Sequence, residues 1–151
     1  MPKSFLNDPR YTRGLRNNNP GNLVRTNIDW LGKIPLDKNT DSRFEQFYEL
    51  RYGLRALMRD IYTDYRRGKN TVRMLISEFA PAFENNTESY IRSVIGKIGM
   101  DSIPQLDIDT LVSIAKAIVS VENGSDARYI TGQDYNDAVA ILQLTLPKKK
   151  I

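Results

Sequence analysis

The chain contains no cysteine and no histidine in 151 residues. The first absence excludes disulfides, thiol nucleophiles and thiolate metal ligands. The second removes the base of the Ser-His-Asp and Cys-His mechanisms. Together they remove the ligand set of a zinc peptidase or amidase. Any catalysis must rest on Asp, Glu, Lys, Tyr, Ser, Thr or Asn, with no metal and no cofactor expected. Long apolar runs are also missing: none approaches the roughly 20 residues that a membrane-spanning helix needs. The opening residues, Met1 to Asp8, hold no apolar segment of the signal-peptide kind. No signal peptide is therefore expected.

The 40% hydrophobic and 26% charged residues suit a globular domain with one core. The formal net charge of +4 favours approach to anionic polymers without choosing between cell wall and nucleic acid. Residues 1–13 read as an extended arm because Pro2 and Pro9 oppose helix. Residues 14–146 read as a single globular domain, and residues 147–151 as a basic tail.

The densest local signal is Arg16-Asn17-Asn18-Asn19-Pro20-Gly21-Asn22. Asn tolerates left-handed backbone angles, Pro fixes φ and Gly permits positive φ, so this stretch is a tightly turned loop. Its amides support two readings: a loop braced by its own side chains, or a surface that hydrogen-bonds a polar ligand. Both hold together in many ligand-binding loops.

Gly14-Leu15-Arg16 and the Asn-rich run, Trp30 and Gly32 as W-x-G, and Phe44 and Phe47 as F-x-x-F come in a set order. Gly53-Leu54-Arg55-Ala56, Asn70-Thr71, Ala80-Pro81, Glu84-Asn85-Asn86-Thr87, Tyr90 and Val121-Glu122-Asn123-Gly124 follow. As an ordered set over residues 14–124 they resemble a family of bacteriophages and prophages. Its members are described variously as virion structural proteins and as peptidoglycan-degrading enzymes. The resemblance implies a phage protein and, with it, peptidoglycan glycan strands or other virion proteins as partners.

Helical periodicity begins at Leu50. Leu50, Leu54, Leu57, Met58, Ile61 and Tyr65 mark one face of a helix that Gly68 ends. Arg51, Arg55 and Arg59 form a stripe on an adjacent face, read as solvated and partly paired with Asp60 and Asp64, or as contact for an anion. With no aromatic-rich groove or DNA-binding motif, nucleic acid is not the expected partner. Thr71 caps a second helix over 72–79. A third runs to Ile98, with Asn85 and Glu88 as a capping box or Thr87 as the cap. A fourth starts at Asp107 or Asp109 and stops at Asn123-Gly124, and a fifth covers about 133–144. Leu23-Val24-Arg25 and Arg43 to Phe47 are candidate strands. Between them, Asp37-x-Asn39-x-Asp41 has the opening spacing of a calcium loop, but Ser42 and Tyr48 stand where that loop needs Gly and Glu, leaving a surface turn. The fold class is mainly α (α+β): a lysozyme-like helical domain of about five helices after a small irregular or β region.

Carboxyl groups suffice to cleave a glycoside: one donates a proton to the leaving oxygen and a second, or an aligned substrate group, supports the other face of the sugar. Glu122 is the first candidate acid. It shares a face with Leu111, Ala115 and Ile118 and sits at a helix C-terminus, and both features favour the protonated form. Glu84, before a helix N-terminus, is the candidate base or stabiliser, and Glu45, beside two Phe, the reserve acid. Glu122 and Glu84 each have a bland alternative, the first as a cap for backbone NH groups of the Asn-rich loop and the second as a cap for its helix. Asn18, Asn19, Asn22, Asn85, Tyr90 and Asn123 are the candidate substrate contacts. Three functions stay open: a muramidase or lytic transglycosylase, a virion structural protein without activity, and a module that binds cell wall or nucleic acid.

Overall fold

The computed structural model describes residues 2–80 and 86–147. Pro81, Glu84, Asn85 and the Lys148-Lys149-Lys150 run lie outside the described residues. Among the described residues there are six helices: α1 (Arg13–Arg16), α2 (Leu50–Arg66), α3 (Val72–Phe79), α4 (Thr87–Ile98), α5 (Ile108–Asn123) and α6 (Gly132–Ala140), with a 3-10 segment at Gly124–Tyr129 between the last two. The mainly helical class stands, with one short helix more than the periodicity indicates.

Helix α2 is the hub and packs on α3, α5 and α6. Its stripe is buried as the spacing predicts: Leu50, Leu54, Leu57, Met58 and Ile61 are inside. Tyr65 is only part-buried and spends its hydroxyl on the Ile103 carbonyl at 2.9 Å, as an amphipathic side chain at a core edge does. Gly53 interrupts good helix-forming sequence for a visible reason. A Cβ there would collide with the Asn18 backbone carbonyl, so the Asn-rich loop lies directly on the helix.

Helix ends follow cap chemistry. Thr71 accepts from the Met74 amide and Asp107 from the Thr110 amide, and Gly99 closes α4 in the left-handed region with φ 82°. The cap of α4 is Asn86, which accepts from the Ser89 amide; this replaces the expected box of Asn85 with Glu88. Helix α6 begins at a Thr131–Asp134 capping box and ends at Ala140. It stops short because Arg55 and Arg59 take the carbonyls that follow: Arg55 donates to Ile141 and Arg59 to Leu142, each at 2.7 Å.

Residues 17–49 carry no regular strand. The two expected strands meet at an isolated bridge, Val24 to Phe44, and Lys33 bridges Phe47. Side chains do the organising here. Asp41 closes the polar turn by accepting from the Arg43 and Phe44 amides, the Asn17 side chain and the Arg13 guanidinium. Those donors, Arg13 first, hold its carboxyl well below the usual range. Residues 2–12 lack helix, and Phe5 is nonetheless buried in the core.

Candidate functional site

The Asn-rich loop is seated between α2 and α5. Asn18 and Asn22 both take left-handed backbone angles, each with φ 51°, the property for which the sequence selects Asn. The side chains then divide the work. Asn18 is fully buried; it accepts from the Phe5 amide and donates to Ser4 and to the Phe47 carbonyl. Asn19, equally buried, closes on the Leu23 amide and carbonyl and the Glu45 carbonyl. Asn123 reaches back from α5 to the Pro20 and Val119 carbonyls and accepts from the Thr12 hydroxyl. These three are structural braces with no surface to offer a ligand. Asn22 is the exception: half-buried, it donates to Glu122 Oε1 at 2.8 Å.

Glu122 sits in the last turn of α5 and lines an open hollow of about 490 Å³ with Tyr90, Asn86, Ser89 and Ser93. Tyr90 is buried and packs edge-on against Phe79, with ring centroids 6.4 Å apart. Burial first, and then the charge of Glu122, push its phenol far above its ordinary pKa. The hydroxyl meets no partner in good hydrogen-bond geometry among the described residues, and the nearby Glu122 acts on it first through charge and then as an acceptor. Glu45 is fully buried and engaged: Lys33 reaches its Oε2 at 2.9 Å and the Thr26 hydroxyl at 3.2 Å. It is placed as the anchor of the irregular region. Glu84 and Asn85 fall outside the described residues.

A second hollow, about 270 Å³, lies on the other side of Asn22. It is walled by Trp30 and Thr26 from the irregular region, by Asp60, Asp64 and Arg67 from α2, and by Glu78 from α3. Asp60 is the most perturbed acid in it. Burial, then the neighbouring Asp64, push its pKa up to about 6, against partial relief from Arg67. Asp64 is raised as well, by burial and by Glu78. The site therefore pairs a carboxyl whose titration is raised to about 6 with acidic neighbours, in a hollow that the Trp30 indole also lines. That is the equipment for general acid-base work on a ligand with an apolar face and hydroxyls.

Reading the sequence missed this pair by assigning Asp60 and Asp64 to the arginine stripe. Arg51 instead pairs with Glu49 at 2.6 Å, and Arg55 and Arg59 turn to the chain after α6. One signal was available: Asp60 and Asp64 follow the core residues Leu57 and Ile61 by three positions. Such spacing puts a carboxyl at the edge of the apolar stripe rather than opposite it.

No family model matches the chain. It is 36% identical over 118 residues to Protein P5 of Pseudoalteromonas phage PM2, an alignment covering 76% of this chain and 72% of that protein. The chain belongs to the family of this phage protein. Membership supports the phage kinship that the ordered motifs imply, and it leaves the chemistry to be argued from the hollows. Among the described residues, no helix is long and apolar enough to cross a membrane.

Proposed function

We propose that this phage-family protein cleaves glycosidic bonds in peptidoglycan, as a muramidase or a lytic transglycosylase. The observation that carries the reading is Asp60: a half-buried carboxyl that titrates at about 6, in a hollow it shares with Trp30. A glycosidase needs one carboxyl protonated at working pH. Asp60 takes that role in place of Glu122, the first candidate from the sequence. Asp64 beside it is the ionised partner, and the indole of Trp30 covers the apolar C–H face of a pyranose. Asn22 links the two hollows. It lines the Asp60 side and holds Glu122 on the other, so Glu122 is the second carboxyl to test. Asn22, half-buried, also takes over the ligand contact that the braced Asn18 and Asn19 cannot make.

The experiment is turnover of purified peptidoglycan by the wild type, Asp60→Asn and Glu122→Gln, with folding checked by circular dichroism and products by mass spectrometry. The proposal expects wild-type turnover and at least a hundredfold loss in folded Asp60→Asn. An anhydro-sugar end marks transglycosylation and a reducing end hydrolysis. Unchanged turnover in Asp60→Asn with loss in Glu122→Gln returns the acid to α5. A folded wild type that releases no fragments sinks the enzyme reading and favours a virion structural protein.

A further inference from the structure

The sequence singled out an arginine stripe that the proposed chemistry leaves unused. Arg55 and Arg59 stand one turn apart on α2 and line a third hollow, about 520 Å³, with Trp30, Leu31 and Lys33. Ile28 and Trp30 line both this hollow and the one that holds Asp60. The two hollows thus share a wall.

The partners of these arginines are unusual. Arg55 is 7% exposed. It donates to the Ile141 carbonyl at 2.7 Å and to Gln143 Oε1 at 2.9 Å. Arg59 donates to the Leu142 carbonyl at 2.7 Å and the Gln143 carbonyl at 3.3 Å. Every one of these acceptors is neutral. They fix the guanidinium groups in place and leave their charge uncompensated, which is costly for a buried cation. Burial, with Arg59 adding to it, disfavours the charged form of Arg55. Lys33, on the same wall, is already neutralised by Glu45 at 2.9 Å. Asp29 on the rim is exposed. Arg59 spends only Nη1 and keeps the Nε–Nη2 fork that matches a carboxylate, while Arg55 spends Nε and Nη2 and keeps Nη1.

We propose that the Arg55–Arg59 hollow is a subsite for a carboxylate carried by the muramoyl side chain of the glycan. Its source is either the lactyl group of a strand without peptide or an acidic residue of the stem peptide. This rests on the peptidoglycan reading above and adds to it a determinant of substrate choice. Arg55 and Arg59 hold the substrate's charge while Trp30 covers its sugar, so neutral glycans lose that contact.

The test is binding by isothermal titration of three probes: N-acetylmuramic acid, N-acetylmuramoyl-L-Ala-D-Glu and the neutral N-acetylglucosamine. One or both acidic probes should bind at least fivefold tighter than the neutral sugar, and the tighter of the two names the source. Arg59→Gln should abolish that preference, and Arg59→Lys should keep part of it. If Arg59→Gln does not fold, the methyl ester of N-acetylmuramic acid replaces it, tested on the wild type; it removes the charge and keeps the sugar, and should bind like N-acetylglucosamine. Equal binding of acidic and neutral probes overturns the subsite, as does a preference that survives Arg59→Gln or esterification. A single-stranded DNA oligonucleotide whose binding alone depends on Arg59 also overturns it, in favour of a phosphodiester ligand. Arg59-dependent binding in a protein without turnover keeps the subsite and removes the enzyme. Turnover with Arg59-independent binding does the reverse.

Discussion

Asp60→Asn is expected to make the folded protein more stable at neutral pH, although Asn loses the charge and gains nothing in packing. A carboxyl that titrates at 3.8 when free titrates at about 6 in the folded chain because burial and Asp64 oppose its ionisation. Between those two values the folded chain holds a proton that the unfolded chain has released. Stability therefore falls as pH rises through that window, and it is flat on either side. Above it the charge costs the folded state about 3 kcal/mol by linkage. Asp60 is half-buried, so water reaches it and about 1–3 kcal/mol is the working range. Asn keeps the shape and removes that cost. Urea denaturation at pH 7.5 should show the variant more stable by that amount, and at pH 3.5 the two curves should converge. Equal stability at pH 7.5, or a gap that does not change with pH, refutes the placement of Asp60 as a desolvated carboxyl. The same reasoning connects stability to function. On the proposed function the more stable variant is also the one that loses turnover.

Four further outcomes follow from the packing. Asn19→Ala leaves the Leu23 amide and the Glu45 carbonyl without their partner, while the Leu23 carbonyl keeps the Glu45 amide, and should cost roughly 2–4 kcal/mol by thermal denaturation, with any turnover falling only in proportion. Leu57→Ala, at a fully buried position, should cost roughly 2–5 kcal/mol, and a loss under 1 kcal/mol would remove α2 from the core. Gly53→Ala gains about 1 kcal/mol of helix propensity on an exposed helix; here it should destabilise by roughly 1–3 kcal/mol, because the Asn18 carbonyl occupies the space. Thr71→Ala should lose about 1 kcal/mol with the cap of α3, read as a drop in the urea midpoint.

How much of this was legible in the sequence depends on what carries each feature. Helix α2 was legible because one apolar stripe, a helical period and a Gly stop agree. The boundaries of α3 were legible because Thr71 can cap and Pro81 stops the helix soon after Phe79. The expected strands were not realised because pairing reaches only single bridges, and the segment is held by Asp41, Asn19 and Glu45 instead. Side-chain bracing of that kind has no period to read. The end of α6 was also out of reach, since it is set by two arginines more than 80 residues away.

On the proposed function, bracing and binding by the Asn-rich loop belong to one design rather than to two competing explanations. Asn18 and Asn19 spend their donors and acceptors on the loop itself and on the residues beneath it, so they are lost to a ligand. Their fixation puts Asn22 into a left-handed conformation at the junction of two hollows. Three elements far apart in sequence meet there: Trp30 from the irregular region, Asp60 from α2 and Glu122 from α5. A ligand contact at Asn22 thus depends on buried amides that never touch the ligand. Variants at Asn18 or Asn19 should disturb stability first, and variants at Asn22 should disturb turnover first. A folded Asn22→Ala protein with wild-type turnover would separate the loop from the site.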